Sequence, residues 1–238
     1  MRAHGRSARR LKKLLWRIHV PPFVVNCGVL LPTKHPLISE GIRKQIYFGE
    51  YEAKEVEIVD KRLSLDDVVM EVGAGIGYLS ALCAKRIGDA HVFAYEANPE
   101  MMEVIAATHR ANGVAPTVRN ILLAEGEGRR TFYVEREFWA SSALPTGKGT
   151  RTIEVEQADL NTELRRVRPT FLIVDIEGGE MEFFAVADLG MVRKICVETH
   201  PGLLTDGQIS SLMARLFSQG FVLDFSLIRK NVFYLYRP

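Results

Sequence analysis

The chain has 238 residues, of which 47% are hydrophobic and 25% are charged, and its formal net charge is +2. This length and composition match an ordinary globular domain that is long enough to bury a substantial core. The first seventeen residues contain seven basic side chains and no acidic ones, so the rest of the chain has 24 basic and 29 acidic residues. The acidic balance of that larger part argues against a nucleic-acid-binding face.

The basic N-terminal segment has apolar residues on one helical face opposite its charges, so it could touch anionic lipid or phosphate. A solvated arm or a packing helix is the more common role of such a segment and is the favoured prediction. No apolar stretch approaches the ~18 residues needed to cross a bilayer, and no secretory cleavage site follows an apolar core. Cys27, Cys83 and Cys196 are far apart and form no C-x-x-C pair. We therefore expect a cytoplasmic protein without stable membrane insertion and without a nucleic-acid partner.

The predicted elements alternate between strands and helices, as in a doubly wound fold. Residues 1–60 are predicted to form a basic arm and a helical cover, with a helix around Lys54–Lys61, and residues 61–238 the main domain. Further helices are predicted at about Tyr78–Ile87, Pro99–Ala111 and Asp206–Gln219. Seven strands are predicted, at Val68–Val72, His91–Tyr95, Thr117–Ala124, Phe171–Ile176, Lys194–Glu198, Phe221–Phe225 and Val232–Tyr236.

These strands predict an α/β fold with a doubly wound, Rossmann-like, seven-stranded and mostly parallel sheet. The last two strands, joined by a short polar turn, are expected to form an antiparallel pair. Residues 126–158 interrupt the alternation, and Thr131–Glu135 and Thr152–Glu156 are predicted as an inserted β-hairpin. The loop of this hairpin contains Ser141 and Ser142, and we expect its tip to lie near the ligand.

Three glycines follow the first strand of the main domain. That strand carries Glu71 near its end, and Gly73, Gly75 and Gly77 come next. Glycines allow a tight turn and a close approach of the backbone to a ligand, and the following helix offers unpaired N–H groups. A dinucleotide fingerprint would need its third glycine at the position of Tyr78, which argues against a nicotinamide-dependent oxidoreductase. The spacing E-x-G-x-G-x-G instead resembles the first motif of S-adenosylmethionine-dependent methyltransferases.

A second acidic residue, Glu96, ends the strand His91–Tyr95. In doubly wound folds an acid at this place binds the ribose hydroxyls of a nucleotide, and two hydroxyls can donate to one carboxylate. We predict that Glu96 binds ribose and that Ala97 and Asn98 line the adenosine. A surface acid at a strand end is the alternative, and the preceding glycine loop makes it the less favoured one.

Acidic residues and a histidine cluster around the ends of the next two strands. Asp175, Glu177 and Glu180 belong to the first of these strand ends, and Glu198 and His200 to the second. Doubly wound folds gather their ligands at the carboxyl ends of such strands. The sequence Asn/Asp-Pro-Pro-Tyr, with which many N-methyltransferases hold a planar nitrogen, does not follow the fourth strand. A hydroxyl acceptor is therefore favoured.

Together these motifs resemble the FkbM-type methyltransferase family over about residues 49–200. The resemblance depends on Gly49–Glu52, Glu71–Gly77, Tyr95–Pro99, Asn120–Gly128, Phe132, Ser141-Ser142 and, most specifically, Ile173–Glu180. Gly75 stands where an asparagine is common in the family, and Ala97 where a proline is common. The resemblance implies S-adenosylmethionine as methyl donor and O-methylation of a hydroxyl on a small molecule, a sugar or glycan, or a polyketide-like metabolite.

The resemblance makes residues 61–238 the predicted S-adenosylmethionine-binding methyltransferase domain. The predicted cofactor contacts are Glu71, Gly73, Ala74, Gly75, Gly77, Tyr78, Glu96, Ala97, Asn98 and Asp175. A protonated hydroxyl is a poor nucleophile, so a base should accept its proton. His200 is the first predicted base, because a histidine pKa of about 6.5 suits that task near neutrality. Asp175 and Glu177 are alternative bases or orienting groups.

Three alternatives stay open. The carboxylates and His200 could hold Mg²⁺ or Ca²⁺, which would replace the base, but a divalent metal is the less favoured prediction. A catalytically inactive, cofactor-binding regulatory protein would not need the cluster around Asp175 and Glu177. A homodimer is also left open. The other histidines, His109 among them, have no partners at ligand spacing and are predicted to play no part in the chemistry.

Overall fold

The structure of the chain is a computed structural model that describes residues 15–16, 18–134 and 151–238. In chain order the described strands are β1 (Phe23–Asn26), β2 (Val29–Pro32), β3 (Val69–Val72), β4 (Val92–Tyr95), β5 (Thr117–Arg119), β6 (Leu122–Ala124), β7 (Gly128–Val134), β8 (Arg151–Asp159), β9 (Phe171–Val174), β10 (Lys194–Glu198), β11 (Val222–Leu223) and β12 (Val232–Tyr236). The helices are α1 (Glu40–Phe48), α2 (Ala53–Arg62), α3 (Tyr78–Ile87), α4 (Met101–Asn112), α5 (Leu160–Val167), α6 (Glu180–Val186) and α7 (Asp206–Ser218).

A seven-stranded sheet in the order β11-β12-β10-β9-β3-β4-β5 forms the centre of the described structure. β3 pairs in parallel with β4 and β9, and β9 pairs in parallel with β10. β12 is antiparallel to both β10 and β11. The predicted α/β architecture, with a mostly parallel sheet and an antiparallel C-terminal strand pair, is therefore confirmed.

The central strands are buried on both faces, as expected for parallel strands that helices cover. Along β9, Phe171 and Ile173 pack into the core beneath α3 and α4, whereas Leu172 and Val174 pack into the core beneath α6 and α7. This packing leaves the loops after β3, β4, β9 and β10 at one edge of the sheet, because parallel strands end on the same side.

The predicted strand Thr117–Ala124 is two strands. β5 is the edge of the main sheet, whereas β6 pairs with β8 in a separate sheet with the order β6-β8-β7. The break falls at Asn120, whose side-chain amide donates to the carbonyl oxygens of Glu96 and Ala97 at 2.7 and 3.2 Å. β7 and β8 pair antiparallel, and the predicted loop between them, with its two serines, lies outside the described residues.

An antiparallel hairpin of β1 and β2, which the sequence did not predict, occupies part of the N-terminal cover. Cys27 and Gly28 form its two-residue loop, with φ angles of 45° and 79°. Tight hairpin turns of this kind require positive φ at both positions and usually contain Asn-Gly or Asp-Gly. Because a cysteine occupies the first of these positions, the sequence did not predict the turn.

Four predicted helices correspond to α2, α3, α4 and α7, within two residues at each end. α1 and α5 were not predicted, although each has a capping side chain. The hydroxyl of Ser39 accepts from the N–H of Ile42 at the start of α1, and the carboxylate of Asp159 accepts from the N–H of Thr162 at the start of α5. Among the described helices, none combines the length and the apolar character that a bilayer span requires.

Candidate active site

The loop after β3 turns at three glycines. Gly73, Gly75 and Gly77 have φ angles of 88°, 54° and 77°, in the left-handed region that glycine adopts without strain. At Gly73 the backbone passes so close to the end of β9 that an added Cβ would lie 1.7 Å from the carbonyl oxygen of Asp175. A side chain is thereby excluded where the glycine loop meets the end of β9.

Gly73→Ala is expected to lower the free energy of unfolding by about 2–4 kcal/mol, because the new methyl group combines a backbone clash with left-handed strain. Gly113→Ala is the matched control, since Gly113 has a φ of 66° but nothing within 4 Å of an added Cβ. This control should show only the strain of about 1 kcal/mol. Urea unfolding measures both values, and equal losses would contradict the close contact at Gly73.

The carboxylate of Glu96 is fixed by backbone donors. Its Oε2 accepts from the N–H of Gly75 at 3.0 Å, and its Oε1 accepts from the N–H of Asn98 at 2.8 Å. Each carboxylate oxygen has a second lone pair and can accept a further hydrogen bond. Burial raises the pKa of Glu96 to about 7, although these backbone donors lower it in part. The predicted ribose ligand is therefore held rigidly beside the glycine loop.

A cavity of about 930 Å³, part of it open to solvent, lies at this edge of the sheet. Of the predicted site residues, it is lined by Gly73, Gly75, Glu96, Ala97, Asp175 and Glu177. Strand β6 and the residue before it, together with Phe132 of β7 and Phe183 of α6, supply apolar walls. The cavity thus joins the predicted cofactor loop to the predicted catalytic acids.

The other predicted cofactor contacts lie near the loop but are not part of the cavity lining. Glu71, Ala74, Gly77, Tyr78 and Asn98 are all outside the lining. Glu71 is 1% exposed and lies behind the loop, where burial raises its pKa to about 8 and its neighbour Ser80 opposes that shift. The side chain of Glu71 thus lies in the protein interior, and its contact with the cofactor stays a prediction.

Sequence reasoning missed four polar residues of the lining. Tyr51 and Glu52 reach the cavity from the start of α2, and Glu52 has a left-handed φ of 47°. Arg130 of β7 and Glu182 of α6 also line it, and their side chains form two hydrogen bonds of 2.5 and 2.7 Å. The run Gly49–Glu52 contributed to the family resemblance, but no local chemistry assigned it a role. The Arg130–Glu182 pair spans 52 residues, a separation at which no sequence pattern is visible.

His200 lies within an acidic cluster at the ends of β9 and β10. Its Nδ1 is 2.7 Å from Oε1 of Glu180. Its Nε2 is 3.2 Å from Oε2 of Glu177 and 3.4 Å from Oδ1 of Asp175. The fold therefore brings the three predicted catalytic residues together, and it adds Glu180, which is fully buried, as the second partner of the imidazole.

The part of the chain that contains these loops matches a known family. Residues 71–225 match the methyltransferase FkbM domain, which is more than half of the chain. The chain belongs to the FkbM methyltransferase family. The family is one of methyltransferases, as the glycine loop and the acidic motifs of this chain indicated.

Individual proteins that resemble this FkbM-family chain match it over a short stretch or at low sequence identity. Over 81 residues, or 34% of the chain, it is 32% identical to the protein-lysine N-methyltransferase EFM3 of Chaetomium thermophilum, and it spans only 24% of that protein's length. A ribosomal protein L11 methylase from Lactobacillus delbrueckii subsp. bulgaricus is 11% identical, with a TM-score of 0.48 and 80% of each chain covered. A methyltransferase from Pyrococcus furiosus is 14% identical, with a TM-score of 0.44 and coverage of 97% of this chain and 96% of that one.

The electrostatics of the FkbM-family site change the choice of base. Burial lowers the pKa of His200, but the hydrogen bond to Glu180 and the charges of Asp175 and Glu177 outweigh it and raise the pKa to about 9. The prediction of His200 as base assumed an ordinary pKa, and the raised pKa favours a charged imidazole near neutral pH. Burial raises the pKa of Glu177 to about 7, with partial opposition from His200. Among the described residues, Glu177 lines the cavity and His200 does not.

Asp175, Glu198 and His200 also lie at metal-ligand spacing, since one ligand atom of each falls within 4.8 Å of the others. Oxygen-rich sites of this kind suit hard divalent cations. One oxygen of Glu198 already accepts from Asn231 at 2.6 Å and lies 3.4 Å from the ammonium of Lys54. The ammonium of Lys54 thus balances part of the negative charge of Glu198. Methyl transfer without a metal stays the prediction.

The cofactor-free protein is expected to be less stable at about pH 9 than at about pH 6. Burial raises the pKa of Glu71 to about 8 and that of Glu55 to about 7, so the folded state holds protons that the unfolded state releases. Their contribution to stability is full below the ordinary carboxyl pKa and is lost as the pH rises through 7 to 8. We expect a loss of at least ~2 kcal/mol, or about 4–8 °C in Tm.

Thermal unfolding in matched buffers tests this pH dependence. Glu71→Gln is the control, because its amide cannot titrate and should flatten the part of the profile near pH 8. A Tm that stays level or rises from pH 6 to pH 9 in the unmodified protein would show that these carboxyls ionise freely.

Proposed function

We propose that the protein transfers the methyl group of S-adenosylmethionine to a hydroxyl of a small molecule, a sugar or glycan, or a polyketide-like metabolite. The observation that carries this proposal is the carboxyl of Glu177, which lines the cavity and has a pKa of about 7. A hydroxyl must lose its proton during transfer, and a base with a pKa near the working pH is the most effective acceptor. A cytoplasmic location is part of the proposal, and the free thiols of all three cysteines support it.

The residues around the glycine loop fit the cofactor. In the proposal Glu96 accepts hydrogen bonds from the ribose hydroxyls, Ala97 lies beside the adenosine, and the backbone of Gly73 and Gly75 faces the amino acid part. Bound S-adenosylmethionine supplies a methyl group that its positively charged sulfur already activates. The protein has to align the acceptor oxygen and accept its proton.

Asp175 and His200 support Glu177 in this proposal. The imidazole lies 3.2 Å from Glu177, and its positive charge lowers the pKa of that carboxyl. Without this charge, burial and the neighbouring carboxylates would keep Glu177 protonated at neutral pH. Asp175 lines the same cavity and is the alternative base, but burial raises its pKa well above the ordinary value and Glu198 adds to that shift.

An amino group, such as that of a lysine side chain, is the second candidate acceptor. The matched relative is a protein-lysine N-methyltransferase, and the cavity lining contains the carboxyls of Glu52, Asp175 and Glu177. Carboxylates attract an ammonium group and balance its charge. The raised pKa of Glu177 favours the hydroxyl, because a carboxyl that is partly protonated at neutral pH attracts a cation less strongly.

Transfer of a labelled methyl group separates the two acceptors. The protein is incubated with methyl-labelled S-adenosylmethionine and either a protein-free metabolite extract or a dialysed protein extract. Glu177→Gln serves as the matched control in both arms. We expect label that depends on Glu177 in the metabolite extract, in a product that cation exchange does not retain. Label found only in protein and recovered as methyl-lysine after acid hydrolysis would contradict the hydroxyl acceptor.

A further inference from the structure

We infer that Ser80 and His109 form a buried positioning network that holds the glycine loop in its cofactor-binding conformation. Ser80 lies on α3 and His109 on α4, and their exposed fractions are 0% and 6%. Nε2 of His109 lies 3.1 Å from Oγ of Ser80. This network goes beyond the proposed acceptor, because it concerns only the cofactor that the family uses.

His109 also touches the last glycine of the loop. An added Cβ at Gly77 would lie 3.0 Å from Nε2 of His109, so the ring lies directly against the loop backbone. Gly77 is the residue at which the loop ends and α3 begins. The imidazole therefore contacts the junction between loop and helix at two points, the backbone of Gly77 and the hydroxyl of Ser80.

The helix after the loop begins without a side-chain cap. The N-cap residue of α3 is Gly77, which has no side chain to accept from the first N–H groups of the helix. Ser80 is the third residue of α3, so its contact with His109 supports the first turn of that helix from the side of α4.

The role of His109 is geometric. Burial lowers its pKa to about 4, so the ring is neutral near pH 7 and adds no charge to the cofactor site. Its packing against Gly77 and Ser80 is compatible with the prediction that His109 plays no part in the chemistry. The ring lies outside the cavity lining, so it acts on the cofactor only through the loop.

The other end of the loop shows why this support bears on cofactor binding. The N–H of Gly73 donates to the carbonyl oxygen of Tyr95 at 2.9 Å, and the N–H of Gly75 donates to Glu96 at 3.0 Å. Gly73, Gly75 and Glu96 line the cavity. The network fixes the far end of the same five-residue turn, so its loss should loosen the Gly75–Glu96 contact and weaken cofactor binding.

Calorimetric titration with S-adenosylhomocysteine tests the network. Ser80→Ala and His109→Leu are each expected to raise the Kd about tenfold, as for the loss of one buried hydrogen bond. His109→Gln should return the Kd to within about threefold, because its amide nitrogen can replace Nε2. Thr108→Val is the matched control, since Thr108 is buried on the same helix and its hydroxyl has no hydrogen-bond partner among the described residues. It should leave the Kd unchanged.

Thermal unfolding of the same variants separates positioning from a purely structural role. A lower Tm with an unchanged Kd in Ser80→Ala and His109→Leu would overturn the inference. If His109→Leu fails to fold, Ser80→Ala decides alone, because removing one oxygen leaves the packing intact. Binding of S-adenosylhomocysteine needs no methyl acceptor. This test therefore stays valid even if the O-methylation assay fails.

Discussion

Glu177→Gln is expected to reduce kcat about 10³-fold while the Kd for S-adenosylhomocysteine stays unchanged. The amide has the size of the carboxyl but cannot accept the acceptor's proton, and a positioned base contributes about 10²–10⁴-fold. Steady-state kinetics with the identified acceptor measure the loss, and calorimetry measures the binding. Near-normal turnover of Glu177→Gln would contradict Glu177 as the base. If Asp175→Asn were inactive in the same assay, the role of base would pass to Asp175.

The pH profile provides a sharper control for the same assignment. In the unmodified protein, kcat should rise with pH through about 7, because Glu177 must be ionised to accept a proton. His200 lowers the pKa of Glu177, so His200→Gln should shift the rise in kcat to higher pH rather than abolish turnover. If the pH dependence of kcat were unchanged in His200→Gln, the imidazole would have no effect on the pKa of Glu177.

Glu96→Gln is expected to raise the Kd for S-adenosylhomocysteine roughly 10- to 100-fold. Hydrogen bonds to a charged acceptor are worth about 1.5–3 kcal/mol, and 1.4 kcal/mol corresponds to a factor of ten. Both carboxylate oxygens of Glu96 accept from backbone N–H groups, of Gly75 and of Asn98. An amide places an NH₂ group against one of these donors, so the loop contact is lost together with the charge.

Glu100→Gln is the matched control for the loss of charge alone. Glu100 lies four residues away, is exposed and pairs with Arg151 at 2.6 Å outside the cavity. Its replacement should leave the Kd within about twofold, since exposed ion pairs contribute little. Calorimetry on both variants, with circular dichroism to verify the fold, decides the point. If Glu96→Gln and Glu100→Gln had the same Kd for S-adenosylhomocysteine, Glu96 would not be part of the cofactor site.

The parts of the site that follow one another along the chain could be predicted from sequence. Gly73–Gly77 and Glu96 stand at strand ends, and the apolar runs before them have the length and composition of buried strands. The parallel sheet then places Asp175 and His200 at the same edge, because parallel strands end on one side. Local patterns and one topological rule were therefore sufficient for the position of the cavity.

What could not be predicted depends on side chains that meet across long separations. The raised pKa of His200 depends on how closely Glu180, Asp175 and Glu177 approach the ring. The sequence places these acids at the same edge of the sheet but contains no information on those distances. The burial of Glu71, which is 1% exposed, depends on the elements that pack over β3. The N-terminal hairpin was missed because its turn contains Cys27, a residue that rarely marks a turn.

Hydrogen–deuterium exchange with and without S-adenosylhomocysteine tests the central claim most directly, because it shows both that the ligand binds and where. We predict slower exchange of the backbone amides in residues 72–80 and 95–99, which include the glycine loop and the segment around Glu96. Exchange in the Glu96→Gln variant should change far less at the same ligand concentration. Protection confined to other segments, or no protection in a folded protein at saturating ligand, would contradict the cofactor site described for this cavity.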